Sequence, residues 1–451
     1  MRVLLVNPPS AGVFAVFGMT LPPMGLLYVA AALEQKGHEA VVVDLQVEPQ
    51  HRLLEEIRRA DVVGISTDTT RTEKALKLAR MAARQGKPVI MGGPHPQFTP
   101  DEVFATGSVT AIVRGEGDLT LPALIECYEQ KSDFATVAGI IYRDGDRLAS
   151  TPGGPLPDVA KLPFPARHLV NLDAYGSNLA GRPCTPVVTS RGCPSRCSFC
   201  SSASFFGVGW RARNPESVLE ELEEVYSRYG FRAVAFTDDN FTLDPQRTIA
   251  ITDGIRQRRW DLRWWNFSRV DSIIRHPEMV EAMAKAGSYM VYLGIESGSA
   301  ATWQRLGKRS PAGEAAEAVR LLTANGIESY GSYIIGVPNE GPREIEETVK
   351  MARELDTNIA QFSILTPYPG TPLFDEMKGM ITTRKWKRYD GVHLVFRHPR
   401  INYHLLHFLL LRAYVRFYRR SERARSNFKA AGRSQGVSFR KVVAGIREIV
   451  F

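Results

Sequence analysis

The chain has 451 residues, 44% of them apolar, only five cysteines and a net charge of +9. This length predicts about three domains, each large enough to bury a core of its own. No uninterrupted apolar run approaches about 20 residues, which argues against a membrane-spanning helix. The start, MRVLLVNPPS, has no signal-peptide features. We therefore expect a cytoplasmic protein, where thiols stay reduced.

The positive charge is confined to the C-terminal end. Residues 412–451 carry eleven Lys or Arg against two Asp or Glu, so residues 1–411 are neutral. A neutral body argues against a nucleic-acid groove spread over the fold. The distribution predicts no nucleic-acid partner, and it favours one local anionic partner or surface.

Strand-like and amphipathic segments alternate over residues 1–135. The β-branched runs cover residues 2–7, 39–45, 61–66, 88–93 and 110–115. Such alternation predicts an α/β fold with a doubly wound parallel sheet, whose ligands bind beyond the carboxyl ends of the strands. Residues 136–180 contain one small strand, AGIIYRDG, and a stretch rich in proline and glycine, which predicts a linker on the surface.

A second alternating series covers residues 181–380. Its strand-like runs are residues 185–190, 232–240, 263–271, 289–297, 327–337 and 360–370. Six βα units predict a (β/α)6 partial TIM barrel, a fold that places its chemistry on the loops after the strands.

Residues 381–451 are predicted to form a basic helical region. On a helix, apolar and basic side chains would separate onto two faces. The apolar face would carry Leu411, Val415 and Tyr418, and the basic face Arg412, Arg416, Arg419 and Arg423. Either the apolar face packs on the open side of the barrel, or the helix makes a peripheral membrane contact.

Three of the five cysteines lie in one short segment, SRGCPSRCSFCSS. Cys193, Cys197 and Cys200 have the spacing C-x-x-x-C-x-x-C. Soft thiolate ligands select iron–sulfur clusters or zinc, but structural zinc normally takes four protein ligands from two separated pairs. Cys127 and Cys184 each stand alone. The pattern therefore favours a 4Fe-4S cluster with one open iron over zinc or a coincidental structural triplet.

This segment resembles the radical S-adenosylmethionine (SAM) superfamily. FTDDNFT, FSRVDSI, YLGIESGS, YIIGVPNE and ILTPYPGTPL follow it in the family's order, over roughly residues 180–380. The resemblance implies that SAM chelates the open iron. It further implies that an electron from the cluster cleaves SAM to a 5′-deoxyadenosyl radical, which takes a hydrogen atom from the substrate.

The resemblance also implies roles for individual residues. Cys193, Cys197 and Cys200 would be the cluster ligands, and Phe199 would pack near the adenine. Asp239 and Asn240 would lie near the methionyl amino group, Arg269 near the carboxylate and Glu296 near a ribose hydroxyl. The alternative for the last four is barrel-mouth salt bridges or strand caps.

The first domain resembles the Rossmann-like cobalamin-binding domain of cobalamin-dependent radical SAM enzymes. The segments that carry this resemblance are LLVNPPS, LPPMGLLYVAAAL, VVGISTDTT, IMGGPHPQFTP and VRGEGDLTLPAL. Glycines at strand ends let backbone approach a bulky ligand, although ordinary turn glycines and capping hydroxyls are the alternative. The implied cobalamin contacts are Pro23, Met24, Gly25, Ser66, Thr67, Gly92, Gly93, Gly115, Glu116 and Gly117.

The motif D-x-H-x-x-G, which supplies a histidine ligand to cobalt in other cobalamin proteins, is absent. His38 and His95 both lack its frame. We therefore expect cobalamin to bind without a histidine on cobalt. The alternative is that the domain keeps the fold and has lost the cofactor.

The domain order and the terminal helix resemble the methylases and cyclases of polycyclic lipids and tetrapyrroles. The resemblance implies a C-methyltransferase that uses methylcobalamin and the 5′-deoxyadenosyl radical to methylate an unactivated carbon of a small-molecule or lipid substrate. It also implies an electron donor such as flavodoxin or ferredoxin. A cobalamin-dependent radical cyclase or oxidoreductase without methyl transfer is one alternative, and a non-catalytic cobalamin-binding protein is another.

Overall fold

The computed structural model describes residues 1–9, 20–307 and 312–420. Its first sheet consists of β1 (Arg2–Asn7), β2 (Glu39–Asp44), β3 (Val62–Ser66), β4 (Val89–Gly92), β5 (Ala111–Val113), β6 (Ile140–Asp144) and β7 (Arg147–Ser150). The spatial order is β2-β1-β3-β4-β5-β6-β7. The first five strands pair in parallel, and β6 and β7 extend the sheet as an antiparallel edge.

Helices cover both faces of this sheet. They are α1 (Met24–Gln35), α2 (Gln50–Arg59), α3 (Thr72–Ala83), α4 (Pro100–Phe104) and α5 (Gly117–Glu129). One core cluster holds the buried side chains of α1 and α5, and a second holds those of α2 and α3. The two clusters exist because every side chain of Val3–Val6 is buried, so successive residues of β1 supply both faces. The predicted doubly wound fold is confirmed.

Part of the segment predicted as a surface linker is packed into the protein. Ala166, Val170 and Tyr175 belong to the core of the first domain, and the Tyr175 hydroxyl donates to Oδ2 of Asp44 at 2.9 Å. Arg167 is also buried, where its guanidinium binds the buried carboxylate of Glu221 at 2.6 Å. The proline- and glycine-rich part of the segment is largely exposed over residues 152–161, and the buried contacts of Arg167 and Tyr175 lie beyond it.

The second sheet is a half-barrel. The strands after β7 are β8 (Asn178–Leu179), β9 (Arg182–Val187), β10 (Ser190–Arg191), β11 (Arg211–Ala212), β12 (Ala233–Phe236), β13 (Arg263–Ser268), β14 (Ser288–Glu296), β15 (Glu328–Ile335) and β16 (Ile359–Ile364). The order is β16-β15-β14-β13-β12-β9-β8, in which six strands run parallel and β8 is an antiparallel edge. β10 and β11 form a separate pair. The predicted partial barrel is confirmed.

The second group of helices follows the strands of the half-barrel. It consists of α6 (Ser201–Phe206), α7 (Pro215–Glu223), α8 (Pro245–Gln257), α9 (Val270–Arg275), α10 (Pro277–Lys285), α11 (Ala300–Arg305), α12 (Ala312–Ala324), α13 (Pro342–Leu355), α14 (Pro372–Met377) and α15 (Tyr403–Arg420). The outward side chains of β12–β16 pack with these helices in the largest core cluster.

The narrow end of the half-barrel is closed by a small apolar cluster. Leu179, Cys184, Ala233 and Ala235 pack there, with Trp265 and Tyr289 against them. Burial raises the pKa of the Cys184 thiol to about 12. Cys184 is therefore a neutral apolar side chain of this closed end.

The C-terminal helix α15 covers the open edge of the half-barrel. The Tyr418 hydroxyl accepts from the Ala360 N–H at 3.2 Å and donates to its carbonyl at 3.0 Å. The Tyr414 hydroxyl makes the same pair of bonds to Phe362, at 3.1 and 3.0 Å. An edge strand otherwise presents unpaired backbone groups, so the two tyrosines take the place of a neighbouring strand.

The faces of α15 differ from the predicted ones. Leu406, Leu410, Ala413, Phe417 and Tyr418 are buried, whereas Leu411 and Val415 are only half-buried. The buried stripe is rotated because the helix packs on both β16 and α13.

Among the predicted basic residues, Arg412 and Arg416 form ion pairs with Glu346 of α13, and Arg419 is exposed. Arg423 lies outside the described residues. Within the described ranges, no helix combines the length and the apolar character that a membrane crossing requires.

Candidate functional site

The three clustered cysteines lie on the loop between β10 and α6. The loop is held at three points along its length. The Gly192 N–H donates to Oδ2 of Asp239 at 3.2 Å, Arg269 donates to Oγ of Ser195 at 2.9 Å, and the Ser198 carbonyl accepts from the Leu373 N–H at 3.0 Å. Each contact comes from a different part of the half-barrel. The fold therefore fixes the cysteine loop at the carboxyl ends of the strands.

Gly192 is needed at the start of this loop. Its φ is +84°, and a Cβ at this position would overlap the carbonyl oxygen of Gly209. Only glycine adopts this backbone region without strain and also leaves room for the neighbouring carbonyl.

The donor set of the loop fits an iron–sulfur cluster. Cys193, Cys197 and Cys200 are half-buried cysteines on one loop. In the part of the chain that the structure covers, no three His, Cys, Asp or Glu side chains are arranged around a single metal ion. A cluster with several irons can take one thiolate on each of three irons, whereas zinc needs its ligands around one point. Burial raises the pKa of the Cys200 thiol, so bound iron would have to displace its proton.

One cavity joins the strand ends of the first domain to the surroundings of the cysteine loop. Its volume is about 220 Å³. Leu5, Ile65, Ile90 and Met91 of the first sheet line its apolar part. On the opposite side it is lined by Val188, Ser190, Thr237, Asp239, Phe205 and Phe206 of the second domain. Because Asp239 also binds the cysteine loop, this cavity and the cluster site share a wall.

Seven of the ten predicted cobalamin contacts line this cavity. They are Gly25, Ser66, Gly92, Gly93, Gly115, Glu116 and Gly117. Gly93 has φ +96°, and a Cβ there would lie 3.0 Å from the Thr67 nitrogen and would overlap the Thr67 carbonyl. A cavity with apolar walls and glycines at its rim fits a bulky ring cofactor with an organic tail.

The other three predicted contacts are part of the scaffold around the cavity. The Pro23 carbonyl accepts from the N–H groups of Leu26 and Leu27, and Met24 is buried in the core. Thr67 is buried, and its hydroxyl donates to the Asp68 carbonyl at 3.0 Å. Their predicted contact with cobalamin stays a prediction.

No histidine among residues 1–9, 20–307 and 312–420 lines the cavity. His95 is buried, with Nδ1 3.1 Å from the Thr69 hydroxyl and its ring 4.8 Å from that of Trp386. Burial lowers the pKa of His95 to about 4. That cobalt receives no histidine ligand stays a prediction.

Two neighbouring residues after β12 differ in role. Asp239 lines the cavity, and burial raises the pKa of its carboxyl group. Asn240 is fully buried, and its Oδ1 accepts from the Thr242 hydroxyl at 3.3 Å. Asp239 is therefore placed to meet a ligand in the cavity, whereas Asn240 shapes the turn beneath it.

The remaining predicted SAM contacts surround the cysteine loop. Arg269 binds Ser195 and forms an ion pair with Asp271 at 2.9 Å, and Phe199 packs against the barrel core. Glu296 ends β14 and has φ +70°. A left-handed conformation at a residue other than glycine costs about 1–3 kcal/mol and is concentrated at functional sites. These observations place all three residues at the barrel mouth, and their SAM contacts stay predictions.

An ion network that the sequence did not reveal connects the two domains. Arg191, directly before the cysteine loop, binds both oxygens of Asp118, at 2.7 and 3.0 Å, and binds Glu116 at 2.6 Å. Arg211 also pairs with Glu116. The carboxylate of Glu116 is thus used to hold the second domain. No local pattern could have revealed these pairs, because Asp118 and Arg191 are 73 residues apart.

The family models agree with this geometry. The B12 binding domain model matches residues 11–125, and the radical SAM superfamily model matches residues 187–352. The uncharacterized methyltransferase PH0819 of Pyrococcus horikoshii is 34% identical over 432 residues, which are 93% of each chain. The chain belongs to the B12-binding radical SAM enzymes. The predicted cofactors, a 4Fe-4S cluster, SAM and cobalamin, are confirmed for this family.

Other similar proteins have different names and the same architecture. The anaerobic magnesium-protoporphyrin IX monomethyl ester cyclase of Cereibacter sphaeroides is 28% identical over 433 residues, covering 93% of this B12-binding radical SAM chain and 70% of the cyclase. The structure of the radical SAM methyltransferase TsrM from Kitasatospora setae has a TM-score of 0.72 at 22% identity, covering 85% of this chain and 77% of TsrM. At that identity, the likeness to TsrM shows the fold.

The cysteine assignment predicts a clear division among the five thiols. Replacing Cys193, Cys197 or Cys200 with Ala should remove most of the bound iron, because a cubane held by two protein thiolates loses a ligand that nothing nearby replaces. The matched controls are Cys127→Ala and Cys184→Ala, which should keep the iron content of the unaltered protein. Iron and sulfide per chain would be measured after anaerobic reconstitution. Loss of iron in Cys184→Ala would contradict the assignment.

The buried carboxyl group of Glu340 predicts that the stability of the protein depends on pH. Glu340 accepts from the Thr302 hydroxyl at 3.1 Å and the Val337 N–H at 3.0 Å, and burial raises its pKa from 4.5 to about 7. The folded state therefore keeps a proton that the unfolded state releases. The resulting stabilisation is complete below pH 4.5 and is lost as the pH rises through 7.

The free energy of unfolding should fall by about 3 kcal/mol across this window. Glu340→Gln cannot titrate and should lack this fall, whereas the exposed-site control Glu347→Gln should keep it. Denaturant unfolding at a series of pH values measures the difference. A pH dependence in Glu340→Gln equal to that of the unaltered protein would rule out Glu340 as its source.

Proposed function

We propose that the protein is a C-methyltransferase that places a methyl group on an unactivated carbon of a small-molecule or lipid substrate. The observation that carries this proposal is the single cavity that joins the predicted cobalamin-binding strand ends to Asp239 beside the cysteine loop. When bound, cobalamin supplies methyl transfer and cluster-bound SAM supplies hydrogen abstraction. A methyl donor and a radical source must meet at one substrate, and this cavity provides the meeting place.

The residues of the chain would orient the reactants and exclude water. The aromatic rings of Phe205 and Phe206, 4.9 Å apart, form an apolar part of the wall of this cavity. Arg191, Asp118 and Glu116 keep the two domains in register, so that the wall stays closed. Excluding water and other hydrogen donors protects a radical from being quenched.

Two other functions can be distinguished from methyl transfer. A cobalamin-dependent radical cyclase or oxidoreductase would use the same cofactors without methyl transfer, and the similarity to the cyclase of Cereibacter sphaeroides supports it. A non-catalytic cobalamin-binding protein would not require the three thiols, Gly192 and the three contacts that hold their loop. We favour methyl transfer because the relative that is 34% identical over 93% of the chain is named a methyltransferase.

The electron donor we propose is a small protein such as flavodoxin or ferredoxin. Pro194 and Arg196 are exposed, and Arg196 directly precedes the predicted ligand Cys197. The cluster would therefore lie close to the surface, beside a positive charge. Opposite charges speed the encounter of two proteins, so an acidic donor would suit this surface.

We also propose a peripheral membrane contact through the exposed side of α15, where a lipid substrate would be met. Leu405 is 37% exposed and Phe408 is 54% exposed on the same side of the helix. Arg419 is exposed about three to four turns later, and the following segment carries most of the excess positive charge. Apolar side chains beside basic ones favour anionic lipid surfaces.

The proposed reaction predicts a defined set of products. Two SAM molecules should be consumed per methylation, one giving S-adenosylhomocysteine and the other giving 5′-deoxyadenosine and methionine. The reconstituted enzyme would be incubated anaerobically with cell extract as the source of substrate and with reduced flavodoxin, reduced ferredoxin or no donor. Mass spectrometry should find S-adenosylhomocysteine and a product heavier by one methylene, only with a donor. Deoxyadenosine without either would favour the cyclase or oxidoreductase.

The membrane contact predicts binding to anionic vesicles. Replacing both Leu405 and Phe408 with Ser should weaken co-sedimentation with vesicles rich in phosphatidylglycerol by about tenfold or more. The reason is that the variant lacks two apolar side chains that would be buried in the lipid on binding. Leu119→Ser removes an equally exposed leucine from α5 and should change nothing. If the unaltered protein does not sediment with the vesicles, or if Leu119→Ser weakens binding equally, the contact does not exist.

A further inference from the structure

The inner face of the half-barrel carries a row of aromatic rings across three neighbouring strands. The rings of Trp265 and Phe267 on β13 are 5.0 Å apart, and that of Phe267 is 4.8 Å from Tyr292 on β14. Tyr292 stacks on Tyr330 of β15 at 4.6 Å and an interplanar angle of 23°. We call these four residues the aromatic shelf. Its rings follow the strand spacing and cover about 14 Å.

Trp265 packs against the small apolar cluster at one end of the half-barrel, and the other three rings of the shelf are half-buried on the inner face. Along residues 264–268 of β13, 328–333 of β15 and the whole of β16, outward side chains are buried and inward ones are half-buried in alternation. In the register of the sheet, Phe267 lies opposite Tyr292, and Tyr292 opposite Tyr330. Aromatic rings that fill a core are normally buried. Half-buried rings in a row therefore line a lumen that has room for a ligand.

Polar groups on β16 fix the shelf. The Tyr330 hydroxyl donates to Oε1 of Gln361 at 2.9 Å, and the Tyr292 hydroxyl donates to the same atom at 3.4 Å. The Gln361 amide in turn donates to Oγ of Ser363 at 3.3 Å. With their hydroxyls held at one edge, the two rings cannot rotate freely. The two stacked rings are therefore fixed in position, their edges and outer faces remain for a ligand, and the polar atoms gather on the β16 side.

The space nearer the strand ends is bordered by small side chains. Ser332 is half-buried, lies two residues beyond Tyr330 on the same face and hydrogen-bonds to Tyr292. Glu296, at the end of β14, and the cysteine loop lie further along the strands in the same direction. A molecule resting on the shelf would therefore extend toward the region where the predicted SAM contacts gather.

We infer that the aromatic shelf binds a planar, conjugated ring system of the methyl acceptor, with the polar groups of that ring directed toward Gln361 and Ser363. The assignment rests on the proposed function only in naming the ligand as the methyl acceptor. Aromatic faces prefer offset stacking or edge contacts with other π systems, and each such pair contributes beyond the area it buries. A saturated polycycle of the same size would bury a similar area, but it would not gain the additional binding energy of contacts between π systems.

The test uses two probes with the same carbon skeleton and one carboxylate each: anthracene-2-carboxylate, which is planar and aromatic, and its fully hydrogenated counterpart, which is puckered and saturated. Binding would be measured by equilibrium dialysis to the anaerobically reconstituted protein with cluster and cobalamin, in the absence of SAM. The occupied cobalamin cavity then cannot take up the probe. The unaltered protein should bind the planar probe about tenfold more tightly, since two stacking contacts give this difference.

Variants locate the preference on the shelf. The double variant Phe267→Leu with Tyr292→Leu should bind the two probes within about twofold of each other, because apolar area remains and the rings are lost. Tyr292→Phe keeps the ring and should retain the preference. Tyr128→Leu removes an exposed tyrosine from α5 and is the matched control. Should the double variant not fold, Ser332→Phe, which fills the space above the shelf, should abolish binding of both probes.

Two results would overturn the inference. One is equal binding of the two probes by the unaltered protein. The other is a preference for the planar probe that survives in the double variant or in Ser332→Phe. Failure of the methylation assay is separate, because dialysis needs neither SAM cleavage nor the natural substrate. A planar preference without S-adenosylhomocysteine would leave the shelf in place and reject methyl transfer.

Discussion

The buried guanidinium of Arg191 is the contact on which the arrangement of the site depends. It lies between the domains, bound to Asp118 and Glu116 and 5.0 Å from the ring of Tyr28. A buried charge that loses its partners costs about 3–5 kcal/mol, so such a contact permits one relative position of the domains. Because Arg191 directly precedes the cysteine loop, the position of the loop over the first sheet follows from this contact.

A second buried ion cluster supports the same geometry. Glu221 binds Arg167 from the segment between the domains and Arg213 from the half-barrel, and all three are buried. The Tyr28 hydroxyl donates to the Val188 carbonyl at 3.2 Å, which ties α1 to the strand end before the cysteines. These contacts make the cavity a fixed feature of the interface. A fixed interface suits a reaction in which two cofactors must lie at a set distance from one carbon.

The half-barrel has a tightly packed outer face and a less packed inner face. Its outer face is a continuous core, and its edge is covered by hydrogen bonds from Tyr414 and Tyr418. Its inner face keeps half-buried aromatic rings and small polar residues. The rigid outer parts can therefore hold an open lumen without collapse, and the strained Glu296 lies where the lumen meets the cysteine loop.

The sequence by itself determined the two parallel sheets, the spacing of the three clustered cysteines and the glycines of the first domain, because these depend on local period, spacing and backbone freedom. It located the strands of both series to within a few residues. Only the tertiary structure decided that Glu116 binds Arg191, that Asn240 is buried and that the buried face of α15 is rotated. It also decided that Arg167 and Tyr175 are buried between the domains' elements and that the inner rings of the half-barrel are only half-buried. Each of these depends on which distant side chain fills the neighbouring space, and no local pattern records that.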